Sequence, residues 1–147
     1  MKYLLGWGRP GQGPGGSYDI AVSSPADLDT ALDAIATTGT PMLVNIIDAW
    51  DGHDIPYGLQ IGIGTGERSC ARYTGKPADG LGYDPAVAPP RDPITFDLGG
   101  EPVTVEPERL RLSMAQAREA ARQYVATGGR PTCIAWDAPD SMPGDAE

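Results

Sequence analysis

An almost continuous apolar run, Met42–Ile47, constrains the fold of this chain more than any other feature. Thr40-Pro41 breaks the chain just before it, and at six residues the run has the length of a buried strand rather than a helix. An Asp-Gly turn signal follows at Asp51-Gly52, and Gly58–Ile63 is a second apolar segment. The pattern predicts that these two strands pair as an antiparallel hairpin.

Two segments carry helix signals. In the first, Ser24 is a candidate N-cap before Pro25, with Leu28, Leu32 and Ile35 at helical spacing and Gly39 near the expected end. In the second, Ser113 and Gln116 form a capping box before the apolar positions, and Gly128-Gly129 stops the helix. The predicted inward face of the second helix consists of Ala117, Ala120, Ala121, Tyr124 and Val125, and its predicted solvent face of Arg118, Glu119, Arg122 and Gln123.

The remaining strand candidates are short, and they suggest an α+β fold. They are Tyr18–Val22, residues 68–74, the hairpin formed by Ile94–Leu98 and Pro102–Val105, and Thr132–Trp136, with residues 75–93 mostly loop. We expect a single-domain antiparallel β-sheet with two α-helices on one face, because 147 residues suit one hydrophobic core. The predicted organisation is a flexible, Gly/Pro-rich loop over residues 1–17, the α+β domain over 18–137 and an acidic tail over 138–147.

The net charge of −9 narrows the classes of partner. Nucleic-acid binding needs a basic surface to replace phosphate counterions, and anionic membranes also repel an acidic chain. Between Pro10 and Glu67 there is no Lys or Arg but eight acidic residues, so one side of the molecule is expected to be negative. Such a charge either serves solubility alone or complements a basic protein. No signal-peptide core or membrane-spanning run is found, so a cytoplasmic location is expected.

The motifs typical of catalysis or cofactor binding are weak. Gly6–Gly11 matches G-x-G-x-x-G, but a run of Gly and Pro follows it where a dinucleotide site needs a helix. The single histidine, His53, lies in a charged turn, and nothing in the spacing pairs it with Cys70. Asp48, Asp51 and Asp54 lack the remaining ligands of a calcium loop. We therefore expect no catalytic residues, no metal and no cofactor, although two carboxylates meeting in a cleft stay open as an alternative.

The Asp-rich turn also contains two aromatic residues, Trp50 and Tyr57. Aromatic side chains surrounded by carboxylates are a plausible anchor for a basic protein surface, because Trp and Tyr dominate interface hot spots. The alternative is that Trp50 is a core residue at the end of the buried strand. Both interpretations stay open at this point.

The C-terminal part of the chain resembles a known family. Ala117-Arg118-Glu119-Ala120, Tyr124, Thr127-Gly128-Gly129-Arg130-Pro131 and Trp136 are similar to the signature of a bacterial immunity-protein family, type one of the Imm series. Upstream, Leu59-Gln60-Ile61-Gly62-Ile63-Gly64 is similar to a strand of that family, and the resemblance spans roughly residues 18–137. Within it, we expect Thr127–Pro131 to be an architectural turn in which Arg130 braces a carboxylate.

The resemblance implies an antidote encoded beside a polymorphic toxin, often a nucleic-acid deaminase. Toxins of this kind bind polyanions and are often basic, which agrees with the argument from charge. The resulting hypothesis is a non-enzymatic, stoichiometric inhibitor that occludes a basic toxin, most specifically a DNA cytosine deaminase. The alternatives are immunity to a nuclease toxin and a small hydrolase that uses His53 or carboxylates. Oligomeric state is not predicted, and the expected partner-binding residues are Asp48, Trp50, Asp51, His53, Asp54, Tyr57, Glu67 and Asp137.

Overall fold

The computed structural model describes residues 3–6, 20–37, 39–48, 58–64, 67–75, 78–98 and 101–137. Eleven strands, two α-helices and one 3-10 turn are found in these ranges. In chain order they are β1 (Tyr3–Gly6), β2 (Ile20–Val22), α1 (Pro25–Ala36), β3 (Met42–Asp48), β4 (Gly58–Ile63), β5 (Arg68–Ser69), β6 (Ala71–Thr74), β7 (Gly80–Tyr83), β8 (Ile94–Leu98), β9 (Glu101–Val105), the 3-10 turn (Pro107–Arg109), β10 (Leu112–Ser113), α2 (Met114–Thr127) and β11 (Ala135–Asp137).

The main sheet has the strand order β11-β7-β6-β4-β3-β1-β2, and every neighbouring pair along this order is antiparallel. β3 and β4 pair from Met42 opposite Ile63 to Ile47 opposite Gly58. This register confirms the predicted hairpin. The architecture confirms the predicted α+β class, an antiparallel sheet with two helices.

Both helices pack on one face of this sheet. On β3 and β4, Val44 and Ile61 point to the helices and are fully buried. They join side chains of α1 and α2, such as Leu32 and Ala121, in one continuous core. Three predicted helix ends are confirmed: Ser24 caps α1, the capping box of Ser113 opens α2, and Gly128 ends α2 with a φ of 79°. The fourth is corrected, because α1 ends at Ala36 with Thr37 as its C-cap, two residues before Gly39. Side chains that alternate with these core residues point to the opposite face of the sheet, which neither described α-helix covers.

The N-terminal residues correct one expectation. Residues 3–6, predicted to be part of a flexible loop, form β1, which lies between β2 and β3. Tyr3 and Leu5 are buried in the core on the helix side. The physical reason is that this short apolar run alternates correctly for a strand, and burying its side chains outweighs the breaking effect of the glycines that follow. Residues 7–17 lie outside the described part of the chain.

The segment 75–93, expected to be mostly loop, also contains a strand. β7 lies between β6 and β11 and contributes Gly80 and Gly82 to the helix side. A Cβ atom at Gly82 would approach Cδ1 of Ile134 to 2.6 Å, so any larger residue would require the Ile134 side chain to move. The last strand, predicted to start at Thr132, starts at Ala135.

Two arginines of α2 reach the acids of α1. Arg122 is exposed, as predicted, whereas Arg118 is half-buried. Arg118 reaches across to α1, where its Nη2 atom lies 2.7 Å from Asp33 Oδ1 and donates to the Asp29 carbonyl at 3.2 Å. The Nε atom of Arg122 lies 3.5 Å from Asp29 Oδ2. Partly exposed ion pairs like these contribute at most about 1 kcal/mol each. Their main effect is to fix how the two helices lie beside each other.

The β8–β9 hairpin, confirmed as predicted, covers part of the helix-free face. It joins the main sheet through one parallel contact, Met42 opposite Asp97, where the Asp97 amide donates to the Pro41 carbonyl at 2.9 Å. Phe96 is fully buried and forms a second, smaller core with Leu43 and Leu110. The sheet is therefore packed on both sides, and on this second side the hairpin and the segment around Leu110 cover part of it.

Asp84 links the end of β7 to the start of α2. Its carboxylate accepts hydrogen bonds from the Ala86 amide and from the Gln116 side chain, which lower the pKa of the carboxyl group below its ordinary value of 3.8. The ionised form is thus favoured in the folded state. Its stabilising contribution is present above pH 3.8 and is lost as the pH falls through the lowered folded-state pKa.

Replacing this carboxylate should therefore make the free energy of unfolding less sensitive to a fall in pH. We expect Asp84→Asn to lower the free energy of unfolding at pH 7, and the difference from wild type to shrink below about pH 4. Urea unfolding at pH 7, 5 and 3 measures it, with Asp92→Asn in the same exposed segment as the matched control. A deficit of equal size at all three pH values would show that the charge of Asp84 is not what stabilises the fold.

Candidate functional site

The helix-free face of the sheet presents one row of directly opposed residues across five strands. Asn45 lies opposite Gln60, Gln60 opposite Arg72, Arg72 opposite Leu81, and Leu81 opposite Asp137. Directly opposed residues in antiparallel strands point to the same face, so the five side chains form a continuous stripe. We refer to these five residues as the cross-strand row.

The row is polar except at Leu81. The amide of Gln60 donates to Oδ1 of Asn45 at 2.9 Å. Arg72 is exposed, and its guanidinium makes no hydrogen bond or ion pair with any residue that the structure describes. A sheet face that presents amides and an unpaired guanidinium is suited to contact with another molecule rather than to internal packing.

Two cavities adjoin the row and make it the floor of a groove. One, of about 150 Å³, lies between the sheet and the chain from β9 to Arg111; the other, of about 250 Å³, lies over β3, β4 and β6. Gln60 and Arg72 line both, so we treat the two cavities as one feature, the sheet groove. The main apolar residues that line the first cavity are Leu43, Leu81, Tyr83, Val103 and Val105, and Ile47 lines the second.

The balance of charge in the groove differs from that of the whole chain. Three arginines, Arg72, Arg109 and Arg111, line it against two acids, Glu108 and Asp137, although the net charge of the protein is −9. Arg111 is held in place: its Nε donates to the Val87 carbonyl at 2.8 Å, and its guanidinium lies 5.1 Å from the centre of the Tyr83 ring. The groove is thus a local cationic feature on an acidic protein.

The predicted partner-binding residues fall into four groups. Asp137 lies at the end of the cross-strand row and lines the groove. Glu67 is exposed beside the start of α2, where its carbonyl accepts from the Met114 amide at 3.0 Å, and it does not line the groove. Asp48 is the last residue of β3. The other five, Trp50, Asp51, His53, Asp54 and Tyr57, lie outside the described residues, and the proposed contacts stay predictions.

The sequence interpretation did not single out Asn45, Gln60 and Arg72. A signal for the first two was available, because each is the single polar residue inside a predicted buried strand. For Arg72, alternation with Ala71 and Tyr73 places it on the opposite face from two buried residues. That this face has no covering helix is a property of the tertiary structure, which alternation alone does not give.

Cys70 lies in the wall of the sheet groove, but its chemistry is not that of a nucleophile. Burial raises the pKa of its thiol from 9.0 to about 12. Because the thiolate is the reactive form, a thiol with such a pKa is almost inert near neutral pH. Cys133, which lies between α2 and β11, is exposed as a residue. Partial burial of its thiol nevertheless raises the pKa of that group.

The two cysteines should therefore differ in alkylation. At pH 7.5 we expect iodoacetamide to modify Cys133 first. Cys70 should react about a thousandfold more slowly than a thiol of pKa 9.0, since each pKa unit removes a factor of ten in thiolate. Peptide mass spectrometry over a time course measures both rates, and Cys133→Ser should leave almost no label. Rapid labelling of Cys70 in native protein would contradict the burial that we assign to it.

The residues that carry the family resemblance are architectural. The indole N–H of Trp136 donates to the Pro131 carbonyl at 2.7 Å, and the guanidinium of Arg130 lies 5.8 Å from the Trp136 ring. Arg130 also donates to the Ala78 carbonyl at 3.3 Å, so it braces a backbone oxygen and a ring rather than the expected carboxylate. These contacts tie the turn after α2 to β11.

The part of the chain that the structure describes contains neither a metal-binding cluster nor a helix suited to span a membrane. Within these ranges, no group of three or more His, Cys, Asp and Glu side chains is arranged to hold a metal ion. Neither described helix combines the length and the apolar character needed to cross a membrane.

The comparison with known protein families finds a match. The family described as Immunity protein Imm1 matches residues 16–138, which is more than four-fifths of the chain and includes both helices, the sheet groove and all eight predicted partner-binding residues. Neither the curated proteins nor the solved structures gave a significant match. The match agrees with the resemblance carried by the residues from Ala117 to Trp136. The chain therefore belongs to the Imm1 family of immunity proteins, which act against a toxin.

Proposed function

We propose that this protein neutralises its cognate toxin by stoichiometric binding rather than by catalysis, and that the toxin is a DNA cytosine deaminase. The observation that carries the proposal is the charge of −9 in a chain of the Imm1 family. A toxin that acts on nucleic acid needs a basic groove for its polyanionic substrate. An acidic protein in that groove excludes the substrate and covers the active site at once.

The proposed contact surface comprises Asp48, Trp50, Asp51, His53, Asp54 and Tyr57, with Glu67 and Asp137 at its margins. Two observations support part of it. Asp137 lines the sheet groove, and Ile47 and Gly58, which flank residues 48–57 in sequence, line its second cavity. Charges supply fast association and discrimination, while buried aromatic side chains slow dissociation.

The raised pKa of the Cys70 thiol argues against one nucleophile in the groove. A protein that acts by occlusion must be present in at least the molar amount of its target. An enzyme that inactivates the toxin acts at much lower amounts. The ratio at which toxin activity ends therefore separates the two mechanisms.

The test is a titration of the toxin domain encoded next to this gene, with cytosine deamination in DNA as the readout. We expect deamination to fall linearly and to end at a fixed molar ratio. Loss of activity at far lower ratios, abolished by His53→Ala, would replace binding by a hydrolase activity. Undiminished deamination in excess protein would remove the deaminase assignment, and cleavage of DNA or RNA by the same toxin would then identify a nuclease partner.

A further inference from the structure

Arg72 differs in its contacts from three other arginines that the structure describes. Arg68 donates to the carbonyls of Ala88 and Leu110, Arg111 is held by backbone carbonyls, and Arg118 bridges the helices. Arg72 is on a central strand, yet it is exposed and has no hydrogen-bond or ion-pair partner among the described residues. An arginine fixed on a rigid strand without an internal role is available to an external anion.

The neighbours of Arg72 define what kind of anion fits. Gln60 lies beside it on one side and Leu81 on the other, and the cavity next to it has apolar walls that include Val103 and Val105. Asp137 is in the same row but two strands away, about 10 Å at the backbone, since strands lie about 4.8 Å apart. A carboxylate on a short side chain, with an apolar neighbour to fill the cavity, matches this arrangement in charge and in polarity.

We infer that Arg72 is the receptor for an aspartate or glutamate side chain of the cognate toxin, and that an apolar residue next to it enters the sheet groove. The inference rests on the proposed function in that the partner is the toxin. The acidic surface of the protein attracts a basic toxin non-specifically. One contact of inverted charge inside a groove, by contrast, fixes the register of the complex and excludes toxins that lack the carboxylate.

An ion pair inside a groove and an exposed charge have different kinetic effects. Removing a desolvated, hydrogen-bonded pair mainly speeds dissociation, whereas removing a surface charge mainly slows association. The guanidinium offers two parallel N–H donors to a carboxylate, which lysine does not reproduce. We therefore expect Arg72→Gln to raise the dissociation rate constant by at least about 30-fold while association changes less than about threefold. Arg72→Lys should lie between wild type and Arg72→Gln.

The control is Arg91→Gln, which removes the same charge from an exposed position that does not line the groove. Surface plasmon resonance with the immobilised toxin domain measures both rate constants, and circular dichroism verifies folding of each variant. Equal dissociation rates for Arg72→Gln and Arg91→Gln would overturn the inference. Wild-type protein that neither binds nor inhibits the toxin would instead overturn the proposed function, so the two failures are distinct.

A cross-link identifies the occupant directly. In Arg72→Lys, a carbodiimide should join the new amine to the toxin carboxylate as an amide, with the lost water taken up by the reagent as a urea. Toxin lysines should also couple to the carboxylates of this acidic chain in every variant, so the summed mass alone is not diagnostic. A cross-link mapped by mass spectrometry from position 72 to a toxin Asp or Glu, with no equivalent link from position 91 in Arg91→Lys, is the expected result. A link formed only within the chain, to Asp137 or Glu108, would show an internal pair and overturn the inference.

Discussion

Phe96→Ala is expected to lower the free energy of unfolding by about 3–5 kcal/mol, a large part of the 5–15 kcal/mol typical of a domain. Phe96 has no exposed surface and holds the β8–β9 hairpin against Leu43 and Leu110. Because β8 pairs with the sheet at only one register position, the hairpin is attached mainly by the side-chain packing around Phe96. Equilibrium unfolding in urea measures the change, and Phe96→Leu, which keeps most of the volume, should cost clearly less.

A double-mutant cycle with Gly62 tests whether this packing is the cause. A Cβ atom at Gly62 would lie 2.5 Å from Cε2 of Phe96, a distance that requires the ring to move. In wild type, Gly62→Ala should therefore cost about 1–3 kcal/mol from overpacking. In the Phe96→Ala background the ring is absent, and the same change should be nearly neutral. Strictly additive costs would mean that Phe96 does not pack on β4.

The effect on function follows from the position of the hairpin. β9 contributes Val103, Thr104 and Val105 to the wall of the sheet groove. A hairpin that detaches from the sheet leaves the groove open on that side. Toxin binding by Phe96→Ala, measured under conditions where the protein is still folded, should therefore weaken through faster dissociation if the groove is part of the interface.

The elements that sequence analysis predicted well are those whose signals are local. The capping box of Ser113 and Gln116 occupies four consecutive positions, and the β3–β4 hairpin connects neighbours along the chain. β1 and β7 were missed for the opposite reason. β1 is stabilised by β2 and β3, which are remote in sequence, and β7 is shaped by Ile134 and Trp136 more than fifty residues later. Short strands with glycine are determined by such distant partners rather than by propensity.

The candidate site shows the same division. The acidic and aromatic residues of Asp48–Tyr57 are visible in the sequence because three Asp residues, Trp50 and Tyr57 lie within ten consecutive positions. The cross-strand row is assembled from β3, β4, β6, β7 and β11, with one residue from each. Consecutive members lie between 9 and 56 positions apart along the chain, so no local motif contains the row. Arg72, which we propose as the contact for a toxin carboxylate, is distinguished by the lack of an internal partner among the described residues, which is a property of the folded surface.

The double charge reversal Asp51→Lys with Asp54→Lys is expected to slow association with the toxin by about 10- to 100-fold at low salt, if these residues face its basic groove. The dissociation rate constant should change little, because exposed charges act on encounter rather than on the bound state. In 1 M salt, where charges more than about 3 Å apart are screened, the variant should associate at nearly the wild-type rate. Stopped-flow fluorescence at several salt concentrations measures both effects.

The matched control separates location from total charge. Asp92→Lys with Glu101→Lys also changes the net charge from −9 to −5, but at exposed positions before β8 and at the start of β9. Equal slowing by both pairs would mean that the overall field steers the toxin, and no slowing by the first pair would move the interface away from Asp48–Tyr57. Because Arg72→Gln is expected to act on dissociation and Asp51/Asp54 on association, one set of rate constants tests the two proposed surfaces independently. An acidic rim that attracts the toxin and a cationic groove that selects it would then be separate parts of one interface.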